Sequence, residues 1–383
     1  MTVQQLIDDV VDLVNDPQVA GLSVRSVYRA LGLTLTPPAG TISPGGKAGD
    51  GQGIFELPDG TKGVTIDSWG SQARRWSNAV AAGLEEAGLP AIEFYADLGQ
   101  DGPQMLPNSS WTWSHKHADA LFRVHAKQVR DEGVDYDAIA QASAECADAL
   151  LQWFPNSIVT GWWNSHSGKA ATGAPAKAKG LGLPDPSAFA GSPHASKSAR
   201  VMVSEIVAKG VALRTRYAAR VDPVFGAMPA KAGGTGKGKL SELGFGSIPP
   251  SAAPKDVTFE SVEGSSWVSF TRLRAFGFET FDADRARAAM VLLALYGLQR
   301  GVHDLHLRSG TDLILDERTV TLERHGAGSS AFDLPDVETL AQALRIFADE
   351  FGWQRIRVDL SSSPNLKHLL SKAEEAGDDS DEE

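Results

Sequence analysis

The chain holds a single cysteine, Cys146, which excludes an internal disulfide and any zinc site built on cysteines. A protein of the reducing cytoplasm is expected. No run approaches the roughly 20 apolar residues that span a bilayer. The opening MTVQQLIDDVVDLVNDP has acids where a secretion signal carries positive charge, so no membrane partner is expected. A phosphate-binding loop is missing as well. Ser167-Gly168-Lys169-Ala170 has neither the earlier glycine nor the final Ser or Thr, and GGTGKGK has the wrong spacing. There is no G-x-S-x-G elbow and no H-E-x-x-H pair. His115 and His117, two apart on a helix, point to different sides, and His303 and His306 beside Asp304 read as ordinary surface. His166 between Ser165 and Ser167 lacks the geometry of a nucleophile with its base. No catalytic residue, metal or cofactor is assigned from these patterns.

Apolar residues make up 42% of the 383, enough for a sizeable core in one large domain or two. The net charge of −12 argues against general affinity for nucleic acid, but it is unevenly placed. The last ten residues, EEAGDDSDEE, hold seven acids and no base. Residues 162–239 hold twelve Lys or Arg against three acids, Asp185, Glu205 and Asp222. A basic stretch in an acidic chain suits a polyanion, although a solvated loop region has the same composition.

Helical spacing places a helix over 3–15, and a second short one is expected over Val19–Leu31. Residues 36–53 are rich in Gly and Pro and read as a loop. IFELPDGTKGVTID reads as a hairpin turning at Pro58-Asp59-Gly60. Residues 68–88 suit a helix capped by Ser68 or Ser71 and ended by Gly88. Single helices are expected over 114–133 (capped by Ser114) and over Asp137–Trp153. SIVTGWW (157–163) reads as a buried strand, and the residues that follow, through Pro193, as a long functional loop or a disordered insertion. Residues 201–207 and 211–217 read as a hairpin, with Arg214 and Arg216 on one face. KAGGTGKGK (231–239) is a second basic loop. Strands are expected at 265–276, carrying Arg272 and Arg274, and near 311–315, 318–323 and 355–360. Helices are expected over Asp284–Gln299 and Val337–Phe351. The sum is an α+β sheet with helices on one face.

Several features fit a nucleic acid. Arg74 and Arg75 open a helix whose free amides add partial positive charge. Trp69, Trp76, Trp111, Trp113, Trp162 and Trp163 offer faces on which bases stack, although most are expected in a core and only one or two against a ligand. Lys169, Lys177, Lys179 and Lys197 lie in or beside glycine-rich backbone that a sugar–phosphate chain can approach.

Four stretches, in order, resemble one family. IDSWGSQARRW (66–76) is similar to its D-S-x-x-S-x-A-x-R segment, and SHKHADALFR (114–123) to its His/Arg-then-Ala-Asp-Ala helix. GWWNSHSGKAATGA (161–174) is similar to its Trp-Asp-Ser-x-Gly-Pro-Lys-Gly-Gly loop, and ARVMVSEIV (199–207) to its R-A-x-V-S-E-I-V strand. The family is the CRISPR-associated backbone subunit of the type I-G (formerly I-U) Cascade interference complex, within the RAMP superfamily. The chain departs from its pattern in the loop: Asn164 stands for Asp, Ser167 for Gly, Gly168 for Pro, and Ala170-Ala171 for Gly-Gly.

The resemblance implies an RRM-like, ferredoxin-like palm with inserted finger and thumb elements. The chain is expected to divide into an N-terminal helical extension (1–32), a RAMP/RRM-like domain (33–360) with Gly/Lys-rich insertions (164–198 and 228–256), and an acidic disordered tail (361–383). The resemblance runs from about residue 50 to 360, and the N-terminal helices and the tail fall outside it. The resemblance implies no catalysis. The expected partners are CRISPR RNA, target DNA through the guide, further copies of the chain and other subunits of the complex. The RNA contacts expected are Ser71, Gln72, Arg74 and Arg75; His115, Lys116 and Arg123; and Trp163, Asn164, Ser165, Lys169, Lys197 and Arg200. Two alternatives are a metal-dependent RNA-cleaving RAMP subunit, using Asp67 or Asp304 with His, and a metabolic α+β enzyme.

Overall fold

The computed structural model describes residues 2–42, 53–97, 104–163, 197–220, 248–301 and 305–367. The first helix, α1 (Val3–Asn15), is capped by the Thr2 hydroxyl and buries Leu6, Ile7, Val10 and Val14 along one stripe. The segment expected as a second helix is instead a strand, β1 (Val19–Ala30). Leu22, Val24 and Ser26 are buried while Arg25, Val27 and Arg29 are exposed, an alternation of period two that only a strand can satisfy. Arg274 fixes the turn into it, donating from Nη1 to the Val14 oxygen (2.8 Å) and from Nη2 to the Val19 oxygen (2.8 Å). The expected N-terminal extension is therefore part of the core.

The hairpin forms as expected from β2 (Ile54–Glu56) and β3 (Lys62–Asp67), and leads into α2 (Trp69–Ala81), capped by Ser68. A short helix α3 (Leu84–Ala87) ends at Gly88, in the left-handed conformation. Beyond it β4 (Ala91–Ala96) pairs with β5 (Gln104–Ser109).

The single helices expected over 114–133 and 137–153 are each broken. The first is a 3-10 turn at 116–118, then α4 (Ala120–Val124, capped by Asp119 rather than Ser114) and α5 (Ala126–Asp131). The second is α6 (Tyr136–Gln141) and α7 (Asp148–Trp153). SIVT, expected as a strand, lies in a buried helix α8 (Pro155–Thr160) with Pro155 at its first position. Proline there is preorganised for a helix, and this outweighs the β-branched side chains. Only β6 (Trp162–Trp163) is extended, paired with β7 (Lys197–Ser198).

β8 (Met202–Lys209) and β9 (Ala212–Arg220) do not form the expected hairpin with each other. β8 pairs with β3 on one side and β11 (Ser261–Ser269) on the other, whereas β9 pairs with β10 (Ile248–Thr258) in a separate two-stranded sheet. The strand expected over 265–276 ends at Ser269, which caps α9 (Phe270–Leu273). There follow α10 (Ala283–Arg300), β12 (His306–Arg308), β13 (Thr311–Arg324), β14 (Gly328–Ala331), α11 (Val337–Phe351) and β15 (Arg355–Asp359). β15 runs parallel to β4. Residues 361–367, expected as the start of the acidic tail, pack on the domain, with Leu366 in the core and Asn365 donating to the Val124 oxygen (2.8 Å). Residues 368–383 lie outside the described residues.

The chain is α+β. An eight-stranded sheet, ordered β12-β13-β1-β11-β8-β3-β2 with β14 beside β13, is antiparallel throughout. Helices cover one face. α10 is buried over every residue from Ala288 to Gly297, so it is a central helix and not an amphipathic one. It positions α2. The Trp76 indole donates to the Ala294 oxygen (3.1 Å), and a side chain at Gly297 would collide with that ring at 2.1 Å. With the inner face of α2 fixed in this way, its outer face looks toward the segments around Trp113, Trp163 and Arg200.

Candidate nucleic-acid interface

Four residues of α2 were expected to touch RNA, and the helix divides them. Gln72 and Arg75 turn inward to Asp67, which is fully buried. Gln72 Nε2 donates to Asp67 Oδ2 (2.6 Å), as does Arg75 Nε (3.1 Å), while Arg308 Nη2 lies 3.5 Å from Oδ1. Arg75 Nη2 also donates to the Leu307 oxygen (2.9 Å), and Arg308 Nη1 to the oxygens of Thr36 (2.9 Å) and Ile66 (2.8 Å). A buried carboxylate needs such donors, so Gln72 and Arg75 hold the fold together and do not present themselves to a ligand. Ser71 lies in the first turn with its amide capped by Ser68. Arg74 points the other way. It is exposed and reaches the Thr112 oxygen (3.4 Å) and the Ser114 hydroxyl (3.5 Å) only weakly.

Arg74 stands on the wall of a cleft of about 680 Å³. Chain segments from five parts of the sequence meet there: α2, residues 111–116, residues 160–163, residues 198–203 and α9. Four of its lining residues are cations, namely Arg74, Lys116, Arg200 and Arg272, and His115 joins them. Among the described residues no Asp or Glu lines it. Among the described residues Arg200 and Arg272 have no acidic partner, and Arg200 Nε is buried without a hydrogen bond. Like charges gathered without counter-charges are destabilising by themselves, and a bound polyanion relieves them.

Lys116 has the only left-handed backbone (φ 53°) among the described non-glycine residues, a conformation that is uncommon for a residue with a Cβ. Its ammonium donates to the Gly161 oxygen. Burial, and then the charge of Arg200, bring its pKa down to about 7. Behind it His117 is buried, 2.9 Å from the Ser157 hydroxyl and edge-on to Trp162. Burial, reinforced by Lys116, holds its pKa down at about 3.

The tryptophans sort as expected. Trp76, Trp111, Trp113 and Trp162 are buried in the main core. Trp69 and Trp163 are 52% and 72% exposed, and both line the cleft. Trp163 sits opposite Lys197 in the β6–β7 ladder, so Lys197, exposed, stands at the same rim. Arg123 is not brought to the cleft. It is largely buried near Tyr136 and Asp119, where burial lowers its pKa. Asn164, Ser165 and Lys169 lie outside the described residues, as do Lys177, Lys179, His303 and Asp304. The described chain leaves at Trp163 and returns at Lys197, both at the rim of the cleft.

Arg272 was missed as a site residue because SSWVSFTRLRAF reads as one strand. The signal that finds it is Ser269, whose hydroxyl accepts from the Arg272 amide (3.2 Å) and starts a helix there. Arg214 and Arg216, the basic face of β9, are engaged elsewhere: Arg216 pairs with the buried Asp256, and Arg214 reaches the Thr34 hydroxyl. Among the described residues no three His, Cys, Asp or Glu side chains are grouped to hold a metal ion. No described helix is long and apolar enough to cross a membrane.

Residues 31–178 match the family model of CRISPR-associated protein GSU0053. The match supports a CRISPR-associated protein with a role in CRISPR defence. It spans Trp69, Arg74, His115, Lys116 and Trp163, and stops short of Arg200 and Arg272. No curated protein matches the chain.

Proposed function

We propose that the chain is a non-catalytic RNA-binding backbone subunit of a type I-G CRISPR interference complex. In this reading it holds the sugar–phosphate chain of a CRISPR RNA in the basic cleft, adds further copies head to tail along the strand, and presents the guide for pairing with target DNA. The observation that carries the reading is the convergence of Arg74, Lys116, Arg200 and Arg272 on one cleft with no carboxylate among its described lining residues. Guanidinium and ammonium groups meet phosphate oxygens with no demand on base identity. A subunit that leaves sequence reading to base pairing needs contacts of that kind. The exposed rings of Trp69 and Trp163 add stacking surface, which every base can use.

The fold supports the same reading. Within the large sheet the strands β13-β1-β11-β8, counted in chain order among themselves, run 4-1-3-2. Helices lie between the first and second and between the third and fourth, a β-α-β-β-α-β succession. That succession supports a ferredoxin-like palm, with β9–β10 as an inserted arm. Of the two acids named for the metal-assisted RNA-cleaving alternative, Asp67 is enclosed by Arg75, Arg308 and Gln72, and Asp304 lies outside the described residues.

The test is anisotropy of a fluorescent single-stranded RNA titrated with purified protein. The wild type should bind in a salt-sensitive way, and R200E together with R272E should weaken binding at least about 100-fold, from two charge-assisted contacts at about 1.5–3 kcal/mol each. Equal binding by both proteins would sink the reading.

A further inference from the structure

Trp69 lines a second cleft as well as the basic one. It borders a space of about 700 Å³ whose chemistry is different. Among the described residues no Lys or Arg lines it, and the single charged group is Glu205. Much of the remaining surface is bare backbone and small side chains, from Pro38 to Thr41 and at Gly53 and Gly70. Gly40 and Gly70 have nothing within 4 Å of the point where a Cβ would stand. Among the described residues, a flat ring can approach the backbone at these two glycines without meeting a side chain.

The indole shared by the two spaces is held in place. Its Nε1–H donates to Glu205 Oε2 (3.2 Å), and Glu205 Oε1 accepts from the Thr65 hydroxyl (2.8 Å). With its only donor engaged, the indole offers solvent nothing but ring surface, and half of it is exposed. Among the described residues each Glu205 oxygen accepts one hydrogen bond, and each has a second lone pair to offer. The two clefts therefore present complementary halves of a nucleotide site. One is cationic, for phosphate. The other, over its described residues, is uncharged apart from an acceptor, and is flanked by an aromatic face.

Resting on the RNA-binding reading above, we propose that Trp69 is a base-stacking divider: the sugar–phosphate chain follows the basic cleft, and one base turns past the indole into the neighbouring cleft with an N–H edge toward Glu205. Phosphate is kept out of the second cleft by the Glu205 carboxylate, so the strand has only one way to lie across Trp69. Stacking supplies the affinity of this subsite, and Glu205 sets which edge of the base enters. A base presenting an N–H or amino group toward the carboxylate is accepted, and an edge that offers only acceptors is rejected.

The experiment uses the full chain saturated with short single-stranded RNAs, each carrying one 2-aminopurine at a successive position. Emission should be quenched at particular positions by stacking. W69L, which keeps apolar bulk but has no π face, should restore that emission and weaken binding between about 5-fold and 100-fold, the range of one base–aromatic stack. W69F should retain most of both. R74A should weaken binding at every position while leaving the quenched positions where they were at saturation, which separates a stacking role from a general loss of charge. If W69L binds as the wild type does with the same quenching pattern, the divider is wrong and the RNA-binding reading stands. If the wild type binds none of the RNAs at low salt, both fall.

Discussion

Trp163 and Lys197 face one another in a two-residue antiparallel ladder, Trp163 exposed on the cleft and Lys197 exposed beside it. This short ladder brings a basic, glycine-rich stretch of sequence back to the point from which it departs. It also sets Arg200, three residues beyond Lys197, into the cleft wall beside Lys116. The geometry of the ladder therefore bears on how the cleft gathers its charge.

Gly161 precedes the ladder at φ 70°, and a Cβ there would lie 2.7 Å from the Ser198 oxygen and 2.9 Å from the Arg200 nitrogen. Gly161→Ala is expected to cost about 1–3 kcal/mol through a strained backbone and the displaced neighbouring strand. It should also weaken RNA binding, because the Gly161 oxygen anchors Lys116. Chemical denaturation and anisotropy on the same preparation check both effects. A variant with wild-type stability and affinity would show that the ladder does not shape the cleft.

Arg74 and Arg75 are sequence neighbours with different expected phenotypes. Arg74→Ala should leave the melting temperature nearly unchanged and weaken RNA binding by about 10-fold or more, the value of one charge-assisted contact. Arg75→Ala uncovers part of the buried Asp67 and should cost about 1–3 kcal/mol of stability, with Arg308 and Gln72 still supporting the carboxylate. Melting curves paired with binding isotherms distinguish them, and the reverse pattern would contradict the division made by α2.

Salt dependence gives a count of contacts. For a single strand, each phosphate neutralised contributes about 0.7 to the slope of log K against log salt. Replacing Arg200 or Arg272 by Ala should reduce the slope by about 0.7 each, and replacing Arg216, which pairs with Asp256, should not change it. Slopes that are identical in all three variants would remove Arg200 and Arg272 from the interface.

The pH dependence follows from Lys116. With a folded pKa of about 7 against an ordinary 10.5, the unfolded chain binds the extra proton between these values, so stability rises as pH rises from about 7 toward 10.5. RNA favours the charged form, so its affinity should fall over the lower part of the same interval. Lys116→Met should flatten both trends. On the acid side His117, held neutral down to about pH 3, makes stability fall as pH drops below 6.5. Thermal melts and binding isotherms from pH 5 to 9.5 test both signs. A wild type whose affinity rises with pH would contradict them.

Periodicity made much of the fold legible. α1, the β2–β3 hairpin and α11 each have a clear stripe or turn in the sequence, and α10 reads as a helix from its run of Ala and Leu. Val19–Ala30 was misread because twelve residues with scattered apolar positions fit either period, and only pairing with both β11 and β13 decides the matter. Residues 155–160 failed in the opposite direction: β-branched side chains suggested a strand, and Pro155 together with complete burial made a helix. Of the site, the residue types were legible but their convergence was not. Nothing in local sequence shows that Arg74 meets Arg200 while Arg75 turns away, because the division depends on the buried Asp67 and on a helix packed behind α2. Arg272 needed the recognition of a helix only four residues long.

The account stands most directly on where a bound strand lies. Ultraviolet crosslinking of the RNA-loaded protein, followed by peptide mapping, should place the adducts on Trp69, His115 and Trp163, with R200E and R272E abolishing them. Adducts concentrated on the exposed face of the large sheet, around Arg25 and Trp267, or unchanged in the charge-reversed protein, would show that the basic cleft is not the RNA site.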